Sequence, residues 1–170
     1  MKIETTRLLI REWNVTDAKA FLPLSQDPAL NQAPQPKLAQ TSMDDCERKL
    51  IEWALQFGQT KMGLLPIFLK DKNILIGVGG IKPLMLDPKN LHFEVICRIG
   101  SQYWKNGYAS EIIPELMKYG FKTLGLNEVV GVGQSEFPAS QRVFEKSGMS
   151  YLKSALLQNK KIDIYSVAAQ

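Results

Sequence analysis

The segment from residue 91 to residue 133 constrains the fold of this chain more than any other. A β-branched run ends near Ile99, the turn "GSQYWKNGYA" follows, a helix-like run lasts to about Leu124, and "NEVVGVG" closes the segment. A helix that crosses between neighbouring strands makes those strands parallel, with a right-handed connection. The sequence therefore predicts a sheet that contains a parallel pair.

Gly100 and Gly107 lie at the two ends of that turn. In one interpretation the turn is only a bend, because glycine adopts backbone angles that other residues avoid. In the other, the unpaired amides at the start of the helix face an anion, most often a phosphate. The pattern alone leaves both interpretations open.

Antiparallel hairpins connect most of the other predicted strands. The first strand has Leu8 and Ile10 on one face and Arg7, Leu9 and Arg11 on the other. Pro83 and Pro88 indicate a loop before the strand that begins at residue 91. The strand runs, in order, are "RLLIREW", "LLPIFL" paired with "ILIGVGGI", and "YLKSALL" paired with "IDIYSVAA". The prediction is an α/β chain of mixed α+β type with a mostly antiparallel sheet.

Helix signals occur at three further places. Ser42 and Asp45 form a capping box, and the apolar spacing that follows predicts a helix that ends at Gly58. A shorter helix is predicted over "VTDAKAFLPL", and another over "PASQRVFEKSG" that Gly148 ends. These helices are expected to flank the sheet.

Length and composition indicate one domain over residues 1–170. The chain is 45% hydrophobic and 22% charged, which suits a single buried core. Charged Glu4, Arg7 and Arg11 interrupt the segment where a signal peptide would need an apolar run, and no later run has the length of a membrane span. We expect a soluble, cytoplasmic protein without a membrane partner.

The distribution of basic residues and the small numbers of cysteine and histidine argue against several classes of function. The formal net charge is +4, but the basic residues are scattered, which argues against a nucleic-acid partner and suits a small polyanionic ligand. Cys46 and Cys97 lack the spacing of a metal or redox pair and are interpreted as packed thiols. With His92 as its one histidine, the chain offers no zinc site and no Ser-His-Asp triad.

Four segments in order resemble the GNAT N-acetyltransferases, specifically the branch of the ribosomal-protein N-terminal acetyltransferases. They are "ETTRLLIREW", "GVGGI", "FEVICRIGSQYWKNGYASEIIPELMKYGFKTLGLNEVV" and "PASQRVFEKSGM". The resemblance runs over nearly the whole chain. It implies direct transfer of acetyl from acetyl-CoA to a primary amine, without a metal, and a sheet splayed open at the cofactor.

The resemblance gives the glycine turn a role in cofactor binding. The family pattern in this loop falls on Trp104, Gly107 and Ala109, while Lys105 stands where a glycine is usual. The amides of the loop and helix start would converge on the pyrophosphate. Those amides belong to Asn106, Gly107, Tyr108, Ala109 and Ser110.

In the family, the strand before this loop contacts the thioester and the pantetheine arm of the cofactor. Val95, Ile96 and Cys97 would present backbone amides there, and Cys97 is interpreted as strand packing because direct transfer needs no acyl-enzyme. Glu94 is either the base that receives the amine's proton or an exposed strand residue or ion-pair partner of Arg98. Both alternatives stay open.

The last short helix carries the candidate acid. Phe144 occupies the position of a common family tyrosine and is counted with the cofactor-binding residues, and Phe137 stands where the branch often has Asn. Ser140 matches the branch serine near the thioester sulfur and would donate to the departing thiolate. Its alternative role is an ordinary helix cap.

Lys105, Phe137 and Phe144 also support a second hypothesis, a non-catalytic acyl-CoA-binding regulatory domain. The acceptor amine stays open between a protein N-terminus and a small molecule, and the chain is expected to be a monomer or homodimer. By analogy, the acceptor side is bordered by Trp13, Pro34 and Pro36.

Overall fold

Alternating strands and tight turns produce an eight-stranded sheet in the computed structural model, which describes residues 1–31, 37–87, 89–135 and 138–169. Pro34, Pro36 and Phe137 lie outside the described residues. The strands are β1 (Lys2–Glu4), β2 (Leu8–Arg11), β3 (Gly63–Leu69), β4 (Ile74–Asp87), β5 (Asn90–Ile99), β6 (Glu128–Gln134), β7 (Ser150–Leu157) and β8 (Lys160–Ala168). Their spatial order is β1-β2-β3-β4-β5-β6-β8-β7.

The described part of the chain also contains four α-helices and three short 3-10 helices. The α-helices are α1 (Ala18–Ser25), α2 (Met43–Thr60), α3 (Tyr108–Lys122) and α4 (Pro138–Lys146), and the 3-10 helices cover Val15–Asp17, Pro28–Asn31 and Ser101–Tyr103. Among the described helices, none is both long and apolar enough to cross a membrane.

The predicted crossover is confirmed. β5 and β6 are parallel and α3 connects them, whereas the other paired strands among the described residues are antiparallel. The parallel pairing is confined to Glu94 opposite Val130. The two strands diverge beyond that point, which opens the sheet.

Two sequence-based boundaries are wrong. The predicted loop around Pro83 is part of β4, where Pro83 pairs with Phe93. β3 pairs with β4 only as far as Ile81, so at Pro83 the strand β4 has a partner on one side only, and proline is tolerated in such edge positions. The helix that begins after Ser42 passes Gly58 and ends at Thr60, with Lys61 in the left-handed conformation at φ 58°.

Trp13 belongs to the core and does not border the acceptor side. Its side chain is buried, its Nε1 donates to the Leu64 carbonyl at 2.7 Å, and its ring packs against Phe21 and Trp53. An indole buried in this way satisfies its single polar group inside the protein. Trp13 is therefore a packing residue.

Candidate active site

The divergence of β5 and β6 creates a cleft of about 570 Å³. The end of β5, the end of β6, the loop before α3 and one face of α4 line this cleft. Every predicted site residue except Asn106 is among the lining residues. The sequence-predicted site residues thus come together at one place in the fold.

The start of α3 opens onto the cleft. Gly107 is the residue before the helix and adopts a left-handed conformation with φ 78°. The first bond of the helical ladder runs from the Glu111 amide to the Gly107 carbonyl at 3.1 Å. The amides of Tyr108, Ala109 and Ser110 precede that ladder and so have no partner within the helix. Such a helix start is suited to an anion.

Lys105 has a left-handed backbone conformation. Its φ is 63°, in the left-handed region that glycine adopts at low cost and a lysine does not. A glycine, the residue that is usual at this position of the family pattern, would adopt this conformation at lower cost. The lysine also adds a positive charge to the cleft lining.

Side chains brace the loop from within. The Asn106 Nδ2 donates to the carbonyls of Tyr103 and Trp104, both at 3.0 Å. The Trp104 Nε1 donates to the Ile99 carbonyl at 2.7 Å, while half of its side chain stays exposed. These bonds fix the loop between β5 and α3.

The end of β5 offers an open backbone edge. Val95, Ile96 and Cys97 pair with β4 on one side, and β6 has diverged on the other. Desolvation raises the pKa of the partly buried Cys97 thiol to about 12, so it stays protonated at neutral pH. This agrees with a packing role for Cys97 and not with a nucleophile.

Glu94 is buried and paired with Lys82. The Lys82 Nζ lies 3.1 Å from Glu94 Oε2, and the two residues are cross-strand partners in β4 and β5. Burial raises the pKa of Glu94 above its ordinary value, while the charges of Lys82 and Arg98 oppose the rise. The expectation of an exposed glutamate is wrong, and Lys82 is an ion-pair partner that the sequence did not indicate.

Arg98 reaches a different partner. Its Nη1 donates to the Leu30 carbonyl at 3.2 Å, in the 3-10 helix after α1. Burial lowers the pKa of Arg98, and the charge of Glu94 opposes that effect. Lys82, Glu94 and Arg98 thus form a charged group on the wall of the cleft.

α4 packs closely on β6 because two strand residues are glycines. A methyl group at Gly131 would lie 2.6 Å from the Phe144 ring, and one at Gly133 would lie 2.9 Å from the Ser140 Oγ. Ser140 is the third residue of α4, so the alternative role as the cap before the helix is wrong. Phe144 is buried, and its ring lies 5.7 Å from that of Tyr165.

Sequence reasoning missed four residues that contribute to the site. Lys82 lies next to a predicted loop, and its pairing with Glu94 follows only from the register between β4 and β5. Gly131 and Gly133 could have been noticed in the sequence, because residues two apart in a strand lie on the same face. The fourth residue, Arg7, contacts the loop before α3.

Comparison with known proteins assigns the family. Residues 7–150 match the family model described as acetyltransferase (GNAT) domain. The chain belongs to the GNAT acetyltransferase family. It is 30% identical over 164 residues to the protein named uncharacterized N-acetyltransferase YoaA of Bacillus subtilis (strain 168), across 92% of this chain and 89% of YoaA.

Solved structures share this fold over almost the whole chain. A GNAT-family acetyltransferase from Bacillus anthracis is 26% identical with a TM-score of 0.74, covering 99% of this chain and 98% of that one. RimL, a ribosomal L7/L12 alpha-N-protein acetyltransferase in complex with coenzyme A, is 15% identical with a TM-score of 0.79, covering 99% and 98%. The latter likeness shows the fold alone.

GNAT membership confirms that the protein is an N-acetyltransferase, and the acyl donor of this family is acetyl-CoA. The cleft fits such a donor, because it combines the amides of a helix start with an apolar wall that includes Val95, Ile96 and Phe144. The cleft therefore offers the helix amides to an anionic group and the apolar wall to a narrow apolar chain.

Proposed function

We propose that this enzyme transfers acetyl directly from acetyl-CoA to a primary amine that enters the cleft beside Glu94. The observation that carries the proposal is the convergence of a helix start, an open strand edge and a buried carboxylate on one cleft. Holding two reactants together in this way supplies much of the rate enhancement of a group transfer.

The pyrophosphate is assigned to the amides of residues 106–110. The left-handed Gly107 and the open first turn of α3 support this assignment, and Lys105 adds charge. The pantetheine arm is assigned to Val95, Ile96 and Cys97, with Phe144 as an apolar contact. The coenzyme A in the RimL structure is consistent with this use of the fold.

Glu94 is proposed as the proton acceptor and Ser140 as the donor to the leaving group. Acetyl-CoA supplies an activated acetyl group as a thioester. The amine nitrogen bonds to the carbonyl carbon, the C–S bond breaks, and the amine's proton passes to Glu94 directly or through water. Ser140 stabilises the thiolate by hydrogen bonding, because its Oγ lies on the cleft wall next to Gly133.

The acceptor is proposed to be a protein N-terminus or a small monoamine. Among the described residues of the lining, Lys82, Arg98 and Lys105 are cationic and Glu94 is the carboxylate. This balance disfavours polycations such as polyamines and aminoglycosides. The resemblance to the ribosomal-protein branch, with RimL among the structural neighbours, favours a protein N-terminus.

Residues 1–170 are taken as one catalytic domain that works in the cytoplasm as a monomer or homodimer. A buried core cluster that extends from Ile3 in β1 to Tyr165 in β8 supports the single domain.

The test is the steady-state release of coenzyme A thiol with a panel of amines. The panel contains neutral N-terminal peptides, their N-blocked forms, an amino acid, spermidine and an aminoglycoside. We expect turnover with free α-amines and none with blocked peptides. Mass spectrometry of a cell extract treated with labelled acetyl-CoA then identifies the acceptor. Binding of acetyl-CoA without any acetylated product would favour the non-catalytic alternative.

A further inference from the structure

The connection between β1 and β2 reaches across to the first turn of α3. The Glu111 carboxylate accepts hydrogen bonds from the Thr5 hydroxyl, from the Arg7 amide at 2.9 Å and from the Arg7 Nε at 2.7 Å. The Arg7 Nη2 lies 2.6 Å from the same carboxylate. Residues 104 positions apart thus form one hydrogen-bonded group.

Arg7 also holds the loop before α3. Its Nη1 donates to the Asn106 carbonyl at 3.0 Å, and its guanidinium carbon lies 4.6 Å from the centre of the Tyr108 ring. A methyl group at Gly107 would lie 3.7 Å from the Arg7 Nη2. One side chain therefore contacts the loop on both sides of its left-handed glycine.

Glu111 presents an electrostatic problem for phosphate binding. It lies in the first turn of α3, where its negative charge interacts favourably with the helix dipole but repels an anion at the same helix end. Burial opposes its ionisation, but donation from Thr5 and Arg7 holds the pKa of Glu111 below its ordinary value. The carboxylate is thus charged and needs a neutralising partner.

We propose that Arg7 is a positioning residue for the acyl donor. It neutralises Glu111 and fixes the Asn106 carbonyl, so that the amides that follow are aimed at the pyrophosphate. This inference rests on the pyrophosphate site of the proposed function. The effect is specific to the nucleotide half of the donor, because Arg7 contacts the loop and not the end of β5.

The test compares two acyl donors in an Arg7→Met variant. Acetyl-CoA carries the pyrophosphate, whereas acetyl-pantetheine lacks it and keeps the reacting thioester. We expect the KM for acetyl-CoA to rise about tenfold to a hundredfold, as for loss of a charge-assisted contact. The kcat at saturation and the kcat/KM for acetyl-pantetheine should stay nearly unchanged. Adding Glu111→Gln to Arg7→Met should recover part of the acetyl-CoA affinity.

Arg11→Met is a matched control. Arg11 makes the same kinds of contact, with two bonds of 2.7 Å to the Asp17 carboxylate and a position 4.4 Å from the Phe68 ring centre. Asp17 and Phe68 are not among the residues that line the cleft. This variant should lose stability like Arg7→Met but keep the wild-type KM for acetyl-CoA.

Arg7→Lys keeps the charge beside Glu111 and covers the case in which Arg7→Met does not fold. A lysine has one donor group and cannot span Glu111 and Asn106 together. The KM of Arg7→Lys for acetyl-CoA should fall between those of the wild type and Arg7→Met. If Arg7→Met does not fold, the KM of Arg7→Lys should still exceed that of the wild type.

Two outcomes would overturn the inference about Arg7 and leave the proposed function standing. One is an equal loss of activity with both acyl donors, which indicates a merely structural role. The other is an unchanged KM for acetyl-CoA in folded Arg7 variants. A wild-type enzyme that acetylates amines equally well from both donors would reject the pyrophosphate site itself, and the inference with it. A wild-type protein without turnover from either donor would refute the proposed function.

Discussion

Replacing Gly107 with alanine tests the pyrophosphate assignment through backbone strain. Gly107 has φ 78°, and the nearest atom to an added methyl group would be the Arg7 Nη2 at 3.7 Å, an ordinary contact. The cost is therefore conformational and amounts to about 1–2 kcal/mol. For a chain of this size we expect a melting temperature lower by roughly 2–8 °C.

The same strain should weaken donor binding. If the loop relaxes towards a right-handed conformation, the amides of Tyr108 and Ala109 rotate away from the anion that they are proposed to bind. Recovering the bound geometry then costs about 1–2 kcal/mol, which corresponds to a roughly fivefold to thirtyfold higher Kd for coenzyme A. Isothermal titration calorimetry on the folded variant measures this Kd.

Gly125→Ala provides the comparison. Gly125 has a similar φ of 68° with nothing within 4 Å of an added methyl group, and it lies after α3, outside the cleft lining. Both variants should melt earlier, but only Gly107→Ala should bind coenzyme A more weakly. Wild-type affinity in a destabilised Gly107→Ala variant would refute the pyrophosphate assignment, and unchanged melting of both variants would refute the strain argument.

Four further substitutions probe the chemistry and the loop. Ser140→Ala should lower kcat about tenfold to a thousandfold with nearly unchanged acetyl-CoA affinity, and combined loss of binding would indicate a packing role. Glu94→Gln should abolish the acid limb of the pH–rate profile. Lys82→Met should move that limb to higher pH, because loss of the cation raises the pKa of Glu94 further; identical profiles would exclude Glu94 as the base. Lys105→Gly should raise the melting temperature by relieving left-handed strain, whereas an unchanged value would show that the lysine makes compensating contacts.

Local sequence patterns predicted most of the fold. The hairpins, the capped α2 and the crossover through α3 each depend on a few adjacent residues and on the handedness of the connection. The pairing of Lys82 with Glu94 could not be predicted, because Pro83 was interpreted as loop-forming. Once β4 continues past Pro83, the strand register places Lys82 opposite Glu94.

Contacts between distant segments explain the rest of what was missed. Arg7 was assigned only to a strand face, because no local pattern connects it with Glu111, 104 residues later. The loop before α3, which its glycine predicts to be a site element, lines the cleft, but its support comes from the other end of the chain. Tertiary packing, and not propensity, decides such contacts.

We expect the two described departures from the family pattern to be compatible with catalysis. Lys105 adopts a left-handed backbone conformation, which is the conformation that a glycine adopts at low cost. Phe144 fills the space over Gly131 with an aromatic ring but has no hydroxyl to donate. We therefore propose Ser140 as the hydrogen-bond donor to the departing thiolate, because the close packing of α4 on Gly133 holds it at the cleft wall. A chain in which the lost tyrosine is offset by a positioned serine is expected to catalyse transfer, and not merely to bind the donor.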